Sequence, residues 1–234
     1  MKVAEVFGPT VQGEGPSAGR RCGFVRLGGC NLSCSWCDTP FTWDWSGKNG
    51  VPYDPRIELH DAEVVDIVDQ LLEMAVPLVV ITGGEPLVQA SAVAEMVRLL
   101  NAGGVDIEVE TNGTRLPPAE MLRNTRVRFN VSPKLANSGE PAERRIRPDV
   151  LRGFATRADT AFKFVVGTPA DLEEIGRVVA DAVLPADQVW VMPEGTSTEA
   201  ITSRFASLAD AAIAAGWNVT TRLHVLAWGD RRGV

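Results

Sequence analysis

Leu78-Val79-Val80-Ile81-Thr82-Gly83-Gly84-Glu85-Pro86 is the stretch on which the fold turns. Four aliphatic residues in succession, without polar alternation, are what a strand buried on both faces of a parallel sheet requires. The run stops at a glycine pair, and the spacing then predicts a helix from about Val88 to Asn101, ended by Gly103-Gly104. The glycines let a ligand approach the backbone, and Glu85 can accept from a cationic group. No GKS or GKT follows, so this is not a phosphate loop.

The same unit of strand, polar motif and helix recurs outward in both directions. Upstream, Asp61 to Met74 has helical spacing, and Phe24-Val25-Arg26-Leu27 reads as a core strand delivering Gly28-Gly29. Downstream, Val105 to Glu110 ends in Thr111-Asn112-Gly113, with a helix near Pro117 to Asn124. Val127 to Val131 ends in Ser132-Pro133-Lys134, before a short helix near Asp149 to Thr156. Ala161 to Val166, a helix over Asp171 to Val183, and Gln188 to Met192 ending in Pro193-Glu194-Gly195 follow. A helix over Thr198 to Ala215 and a last strand, Asn218 to Leu223, complete the series. The expectation is an α/β fold: an open partial (β/α) barrel of about six parallel strands, too few for the closed eight-stranded form. Residues 1–234 read as a single domain. The Trp-, Gly-, Pro- and Asp-rich segment near 40–60 reads as an insertion covering the loop before it.

That loop, Cys30-Asn31-Leu32-Ser33-Cys34-Ser35-Trp36-Cys37-Asp38-Thr39, sets three thiols in CxxxCxxC spacing. Structural zinc closes its tetrahedron with four ligands, and most iron–sulfur clusters are held by four cysteines. Three cysteines without an obvious fourth suggest a [4Fe–4S] cluster with one iron open to a small molecule. A zinc loop completed by Cys22 or a histidine, or three unrelated buried thiols, are the alternatives. The two histidines, His60 and His224, lack CxxC-type spacing to the loop. Cys22 lies outside the motif and reads as a non-ligating thiol.

Two further features stand near the start of the chain. Gly8-Pro9-Thr10-Val11-Gln12-Gly13-Glu14-Gly15-Pro16 predicts a shaped loop without regular structure after a short strand, Val3 to Phe7. Gln12 and Glu14 within it could match the donor–acceptor edge of a pterin or purine, or simply be a solvated turn. Arg26, a charge in a short apolar run, should face solvent or pair with an anion such as a substrate carboxylate.

Composition narrows the function classes. An apolar fraction of 45% suits a globular core, and a net charge of −7 argues against a nucleic-acid partner. The arginine-rich stretch Arg144, Arg145, Arg147, Arg152 and Arg157 is interrupted by acids, leaving room for a local anion site at most. No apolar run is long enough for a membrane span, and Met1 to Glu5 lacks a signal peptide's apolar core. Four cysteines, three of them clustered, suit a reducing compartment, so the chain reads as cytoplasmic.

The CxxxCxxC spacing resembles the signature of the radical S-adenosylmethionine (SAM) enzymes. Around it, Gln12-Gly13-Glu14-Gly15, Phe24 to Leu32, Trp36-Cys37-Asp38-Thr39 and Thr82 to Leu87 stand in the order found in the 7-carboxy-7-deazaguanine synthase family. Glu110 to Gly113, Ser132-Pro133-Lys134, Val191 to Gly195 and Arg222-Leu223-His224 continue that match. The resemblance covers essentially the whole chain. It implies conversion of 6-carboxy-5,6,7,8-tetrahydropterin to 7-carboxy-7-deazaguanine with loss of ammonia, on the way to queuosine and other 7-deazapurines. It also implies a [4Fe–4S] cluster on Cys30, Cys34 and Cys37, SAM chelating the open iron, and Mg²⁺ at Thr39. SAM contacts fall on Gly83, Gly84, Glu85, Ser132 and Lys134. Substrate contacts fall on Gln12, Glu14, Arg26, Thr82 and His224, with Arg26 at the pterin carboxylate. No catalytic side chain beyond the cluster and SAM is implied, and a reducing electron-transfer protein and a homodimer are the expected partners. A glycyl-radical-activating enzyme, acting on a protein partner, shares the cysteine spacing; the Gln12 loop, Arg26 and Thr39 favour a small polar heterocycle instead.

Overall fold

Apolar runs of four to six residues become strands, and the polar motifs after them become the loops of one edge. The computed structural model describes residues 1–234. Its strands are β1 (Lys2–Val11), β2 (Arg21–Leu27), β3 (His60–Asp61), β4 (Leu78–Gly83), β5 (Asp106–Thr111), β6 (Val127–Val131), β7 (Ala161–Val166), β8 (Val189–Pro193) and β9 (Asn218–Val219). They form one sheet in the order β3-β1-β2-β4-β5-β6-β7-β8-β9. Strands β2 and β4 to β9 run parallel, whereas β1 is antiparallel to both β2 and β3. The edges β3 and β9 do not meet, so the barrel is open.

Helices Val64–Glu73, Ala90–Ala102, Pro148–Ala155, Asp171–Ala182 and Thr198–Ala214 return the chain between strands. The last begins where Ser197 accepts from the Ala200 N–H, satisfying a donor the first turn leaves free. Alternation along each strand then divides the sheet. Val79 and Ile81, Ile107 and Val109, Phe129 and Val131, Phe162 and Phe164 join one apolar cluster on the helical face. Their neighbours Thr82, Glu110, Lys163, Val165 and Met192 line a cavity on the other face.

Three expectations change. β1 runs on to Val11, through glycine and proline residues expected to forbid a strand. The pairing with β2 slips between Phe7 and Thr10, and β3 pairs only with Lys2 and Val3. Pro9 therefore sits at an irregularity facing an open edge, where its missing N–H removes no ladder bond. The final strand stops at Val219 instead of Leu223, and Leu223–Trp228 is a short helix. Thr220 Oγ1 there accepts from the Gly15 N–H (3.0 Å), which draws the chain off the sheet edge. Finally, the arginine-rich stretch is not an anion site. Arg145 pairs with Glu174 (2.6 Å), Arg152 donates to Asp181 O (2.9 Å), and Arg157 pairs with Asp159 (2.7 Å) while donating to Val127 O (2.8 Å).

Candidate active site

The carboxyl edge of the parallel strands surrounds a cavity of about 220 Å³. Gln12, Glu14, Arg26, Cys30, Cys34, Cys37, Thr39, Thr82, Gly83, Gly84, Ser132, Lys134 and His224 all line it. Residues up to 212 positions apart in sequence are thus brought together by the strand ends, as the motif positions predicted. Glu85 alone of the predicted residues is not in the wall.

Glu85 is fully buried beneath the wall. It accepts from Thr111 Oγ1 (2.8 Å), the Asn112 N–H (2.7 Å) and the Leu87 N–H (2.9 Å). Burial pushes its carboxyl above the usual range, against those bonds. Asn112 in turn donates from Nδ2 to Asn31 Oδ1 (2.9 Å), so Glu85 steadies the turn that holds the cysteine loop. The glycine pair also has a more local cause than ligand approach. A Cβ on Gly83 would lie 2.2 Å from Leu27 O, and one on Gly84 would lie 2.2 Å from Gly29 O. Gly83 has φ of +146°, which only glycine adopts without strain. Close passage of the β4 end against Leu27–Gly29 requires both.

The three thiols share the cavity wall. Trp43 Nε1 donates to Cys37 Sγ at 3.2 Å, and the Leu32 N–H lies 3.5 Å from Cys30 Sγ. Burial pushes the Cys30 thiol up to about 12 and also raises Cys34 and Cys37. Such buried thiols ionise only beside a compensating cationic core, which an iron–sulfur centre supplies. No group of three or more His, Cys, Asp or Glu side chains is arranged to close on a metal ion. Three thiols line one cavity wall while the fourth cysteine lies outside it, a donor set that fits a cluster with one iron left open. Cys22 is fully buried in β2 and outside the cavity. From the segment near 40–60, Asn49 Nδ2 donates to Cys34 O at 3.0 Å.

A charged network shares the cavity and reaches the cysteine loop at Asp38. Glu14 accepts from Lys163 Nζ and from Arg222 Nε (3.0 Å), and Arg222 also binds Asp38. Burial alone would raise the Glu14 carboxyl, but Lys163, Arg222 and His224 outweigh it and hold the group well below the usual carboxylate range. Gln12 Nε2 donates to Glu110 Oε1 at 3.1 Å and to Glu108, while Thr82 Oγ1 donates to Glu110 Oε2 at 2.8 Å. Lys134 Nζ donates to Ser132 Oγ (2.9 Å) and lies 5.4 Å from the Trp36 ring centroid. Arg26 Nε donates to Glu5 Oε2 (2.9 Å). His224 packs so tightly on Gly13 that a Cβ there would fall 2.0 Å from its Nδ1. Burial pushes the imidazole below its usual value, which favours the neutral ring.

Sequence reasoning did not single out Asp38, Lys163 or Arg222. Lys163 carried the signal that exposed Arg26, a charge inside an apolar strand. Asp38 and Arg222 carried none beyond their motifs, because their partners are distant in sequence. The tail also contributes. Val234 lines the cavity, and Arg232 pairs with Glu5 and Glu58 and lies 3.7 Å from the Phe41 ring centroid.

Comparison with known proteins agrees with this geometry. The model of the Radical SAM superfamily matches residues 24–182. The 7-carboxy-7-deazaguanine synthase of Pyrobaculum aerophilum is 37% identical over 234 residues, covering 100% of this chain and 97% of that protein. The protein of the same name from Hyperthermus butylicus is 33% identical, covering 97% and 92%. The crystal structure of QueE from Escherichia coli superposes with a TM-score of 0.70 at 24% identity, covering 95% of this chain and 94% of that one, a likeness of fold. The open barrel, the three-thiol wall and a full-length relative above a third identical converge on one statement: the chain belongs to the radical SAM superfamily and, within it, to the 7-carboxy-7-deazaguanine synthase family.

Proposed function

We propose that the chain converts 6-carboxy-5,6,7,8-tetrahydropterin to 7-carboxy-7-deazaguanine with loss of ammonia, a carbon–nitrogen lyase step in queuosine and 7-deazapurine formation. One observation carries the reading: Gln12, Glu14, Arg26, Thr82 and His224 line the same cavity as the three thiols. The cofactors are a [4Fe–4S] cluster and SAM, which when bound supply the one-electron reduction and the radical that begins the reaction. Cys30, Cys34 and Cys37 hold the cluster. Gly83, Gly84, Ser132 and Lys134 meet SAM, with Glu85 supporting them from behind. Gln12 and Glu14, oriented by Glu110, Lys163 and Arg222, face the heterocycle together with Thr82 and His224. Arg26 keeps its Nε on Glu5 and offers its remaining nitrogens to the substrate carboxylate. Thr39 ligates Mg²⁺ alongside waters and substrate oxygens, a ligand set this ion accepts.

The same reading takes the whole chain as one domain with 40–60 as its insertion. It also implies a homodimer, cytoplasmic residence and a reducing electron-transfer protein as donor. No helix is long and apolar enough to cross a membrane. Anaerobically reconstituted protein incubated with SAM, a reductant and the carboxypterin should yield the deazaguanine and ammonia, followed by mass spectrometry. Formation of 5′-deoxyadenosine only when a protein partner is added would replace this reading with glycyl-radical activation.

A further inference from the structure

Between the first two cysteines lies Ser33, whose N–H (2.9 Å) and hydroxyl both donate to Glu140 Oε1. The preceding residues of that segment take the rest of the loop: the Ser35 N–H donates to Ser138 O (2.9 Å), and Trp36 Nε1 donates to Asn137 Oδ1 (3.1 Å). The Glu140 side chain is 1% exposed. Two cations face it from the solvent side. Lys48 Nζ is 3.6 Å from Oε1 and also donates to Ser33 O (3.2 Å); Arg144 is 3.3 Å from Oε2 and donates to Asn31 O (2.8 Å). Both cations are about half exposed, at 52% and 53%, so water screens them while the carboxylate is desolvated. Oε2 has no hydrogen-bond partner at all, the Arg144 contact being an ion pair without hydrogen-bond geometry.

From this arrangement we propose that Glu140 is a positioning residue for the iron–sulfur centre: it pins the stretch from Cys30 to Cys34, and its buried negative charge lowers the cluster's reduction potential. Reduction adds an electron, and an adjacent anion disfavours that step most where the dielectric is low. Net charge, hydrogen bonding and exposure are the quantities that set the potentials of such clusters. A lower potential makes the reduced centre a stronger reductant toward SAM. The inference rests on Cys30, Cys34 and Cys37 being the cluster ligands. That assignment stands or falls on the iron content of the unaltered protein, about four per chain, so the two readings fail separately.

Glu140→Gln keeps an acceptor for Ser33 and removes the charge. In the reconstituted holoenzyme its iron content should match the unaltered protein. Its midpoint, from a redox titration followed by electron paramagnetic resonance, should rise by roughly a tenfold change in the reduction equilibrium, about 59 mV for one electron. An unchanged or lower midpoint overturns the proposal. If Glu140→Gln does not retain iron, Glu140→Asp decides, since it keeps the charge on a shorter arm. Full iron with an unaltered midpoint then supports a role carried by charge, and loss of iron in that variant too overturns it.

Discussion

The helical face of the sheet buries one cluster of 37 residues, nearly all aliphatic or aromatic; the opposite face holds an apolar cluster of only four, Cys22, Phe24, Leu78 and Val80. Beside those four and apolar residues such as Val165 and Met192, the inner face carries charge: Glu14, Lys163 and Arg222 lie within one network, and Glu108 and Glu110 both receive Gln12. Both faces come from the same strands, one residue out of phase. The outer face is held by area and volume, so what matters there is packing. On the inner face each ion depends on a particular partner, and changing a charge without changing size should matter as much as a cavity does outside.

The largest effect belongs to the rim of the inner face. Cys34→Ala should abolish cluster assembly and all SAM cleavage, measured as iron content and 5′-deoxyadenosine; retained cleavage would remove Cys34 from the ligand set. On the outer face, Phe129→Ala should cost about 3–5 kcal/mol in denaturant unfolding through the cavity left beside Phe154. Activity per folded molecule should persist, and selective loss of activity would break the division between the faces.

Glu14→Gln tests the inner face by charge alone. The Glu14 carboxyl is held below its unfolded value of about 4.3, so its ionised form stabilises the fold above that pH and the contribution fades as pH falls through the folded value. The variant should lose about 3 kcal/mol at neutral pH. The gap to the parent should begin to narrow below about pH 4 and close only as pH falls through the lowered folded value, and a constant gap across the acid range would show that size, not charge, was lost. Arg26→Ala should spare the cluster and SAM cleavage while weakening apparent substrate affinity by about 1.5–3 kcal/mol, roughly ten- to a hundredfold. An unchanged affinity would take Arg26 out of the pocket. Cys22→Ala should be the mildest, leaving iron content intact and costing about 1 kcal/mol for the lost sulfur; a fall in iron would make it a ligand after all.

The two faces also differed in how far the sequence disclosed them. Runs such as Leu78 to Ile81 and Ala161 to Val166 announce buried strands by local composition, and the motifs after them mark the cavity edge because the chain must turn there. Cys30, Cys34 and Cys37 are legible because all three thiols sit on one loop. The charge network was not, since Glu14 meets Lys163 and Arg222 across 149 and 208 residues and nothing local to Asp38 or Arg222 signals a partner. Glu85 was placed at the right motif and the wrong depth: a carboxylate after a glycine pair looks ligand-facing until the Thr111-Asn112 turn closes over it. The edges misled for a related reason. β1 and β9 are governed by register slips and by Thr220 bonding to Gly15, neither of which leaves a periodic trace.

Gly13 abutting His224, with Leu223 N–H donating to Gly13 O at 2.9 Å, carries a consequence for how the molecule is made. The pocket's first wall emerges from the ribosome just over two hundred residues before the piece that braces it. Until that late segment docks, the early loop lacks the Leu223 N–H and the His224 ring that brace Gly13. A metal centre could be loaded onto the cysteine loop during synthesis, but discrimination among guests begins only once the two distant stretches have met.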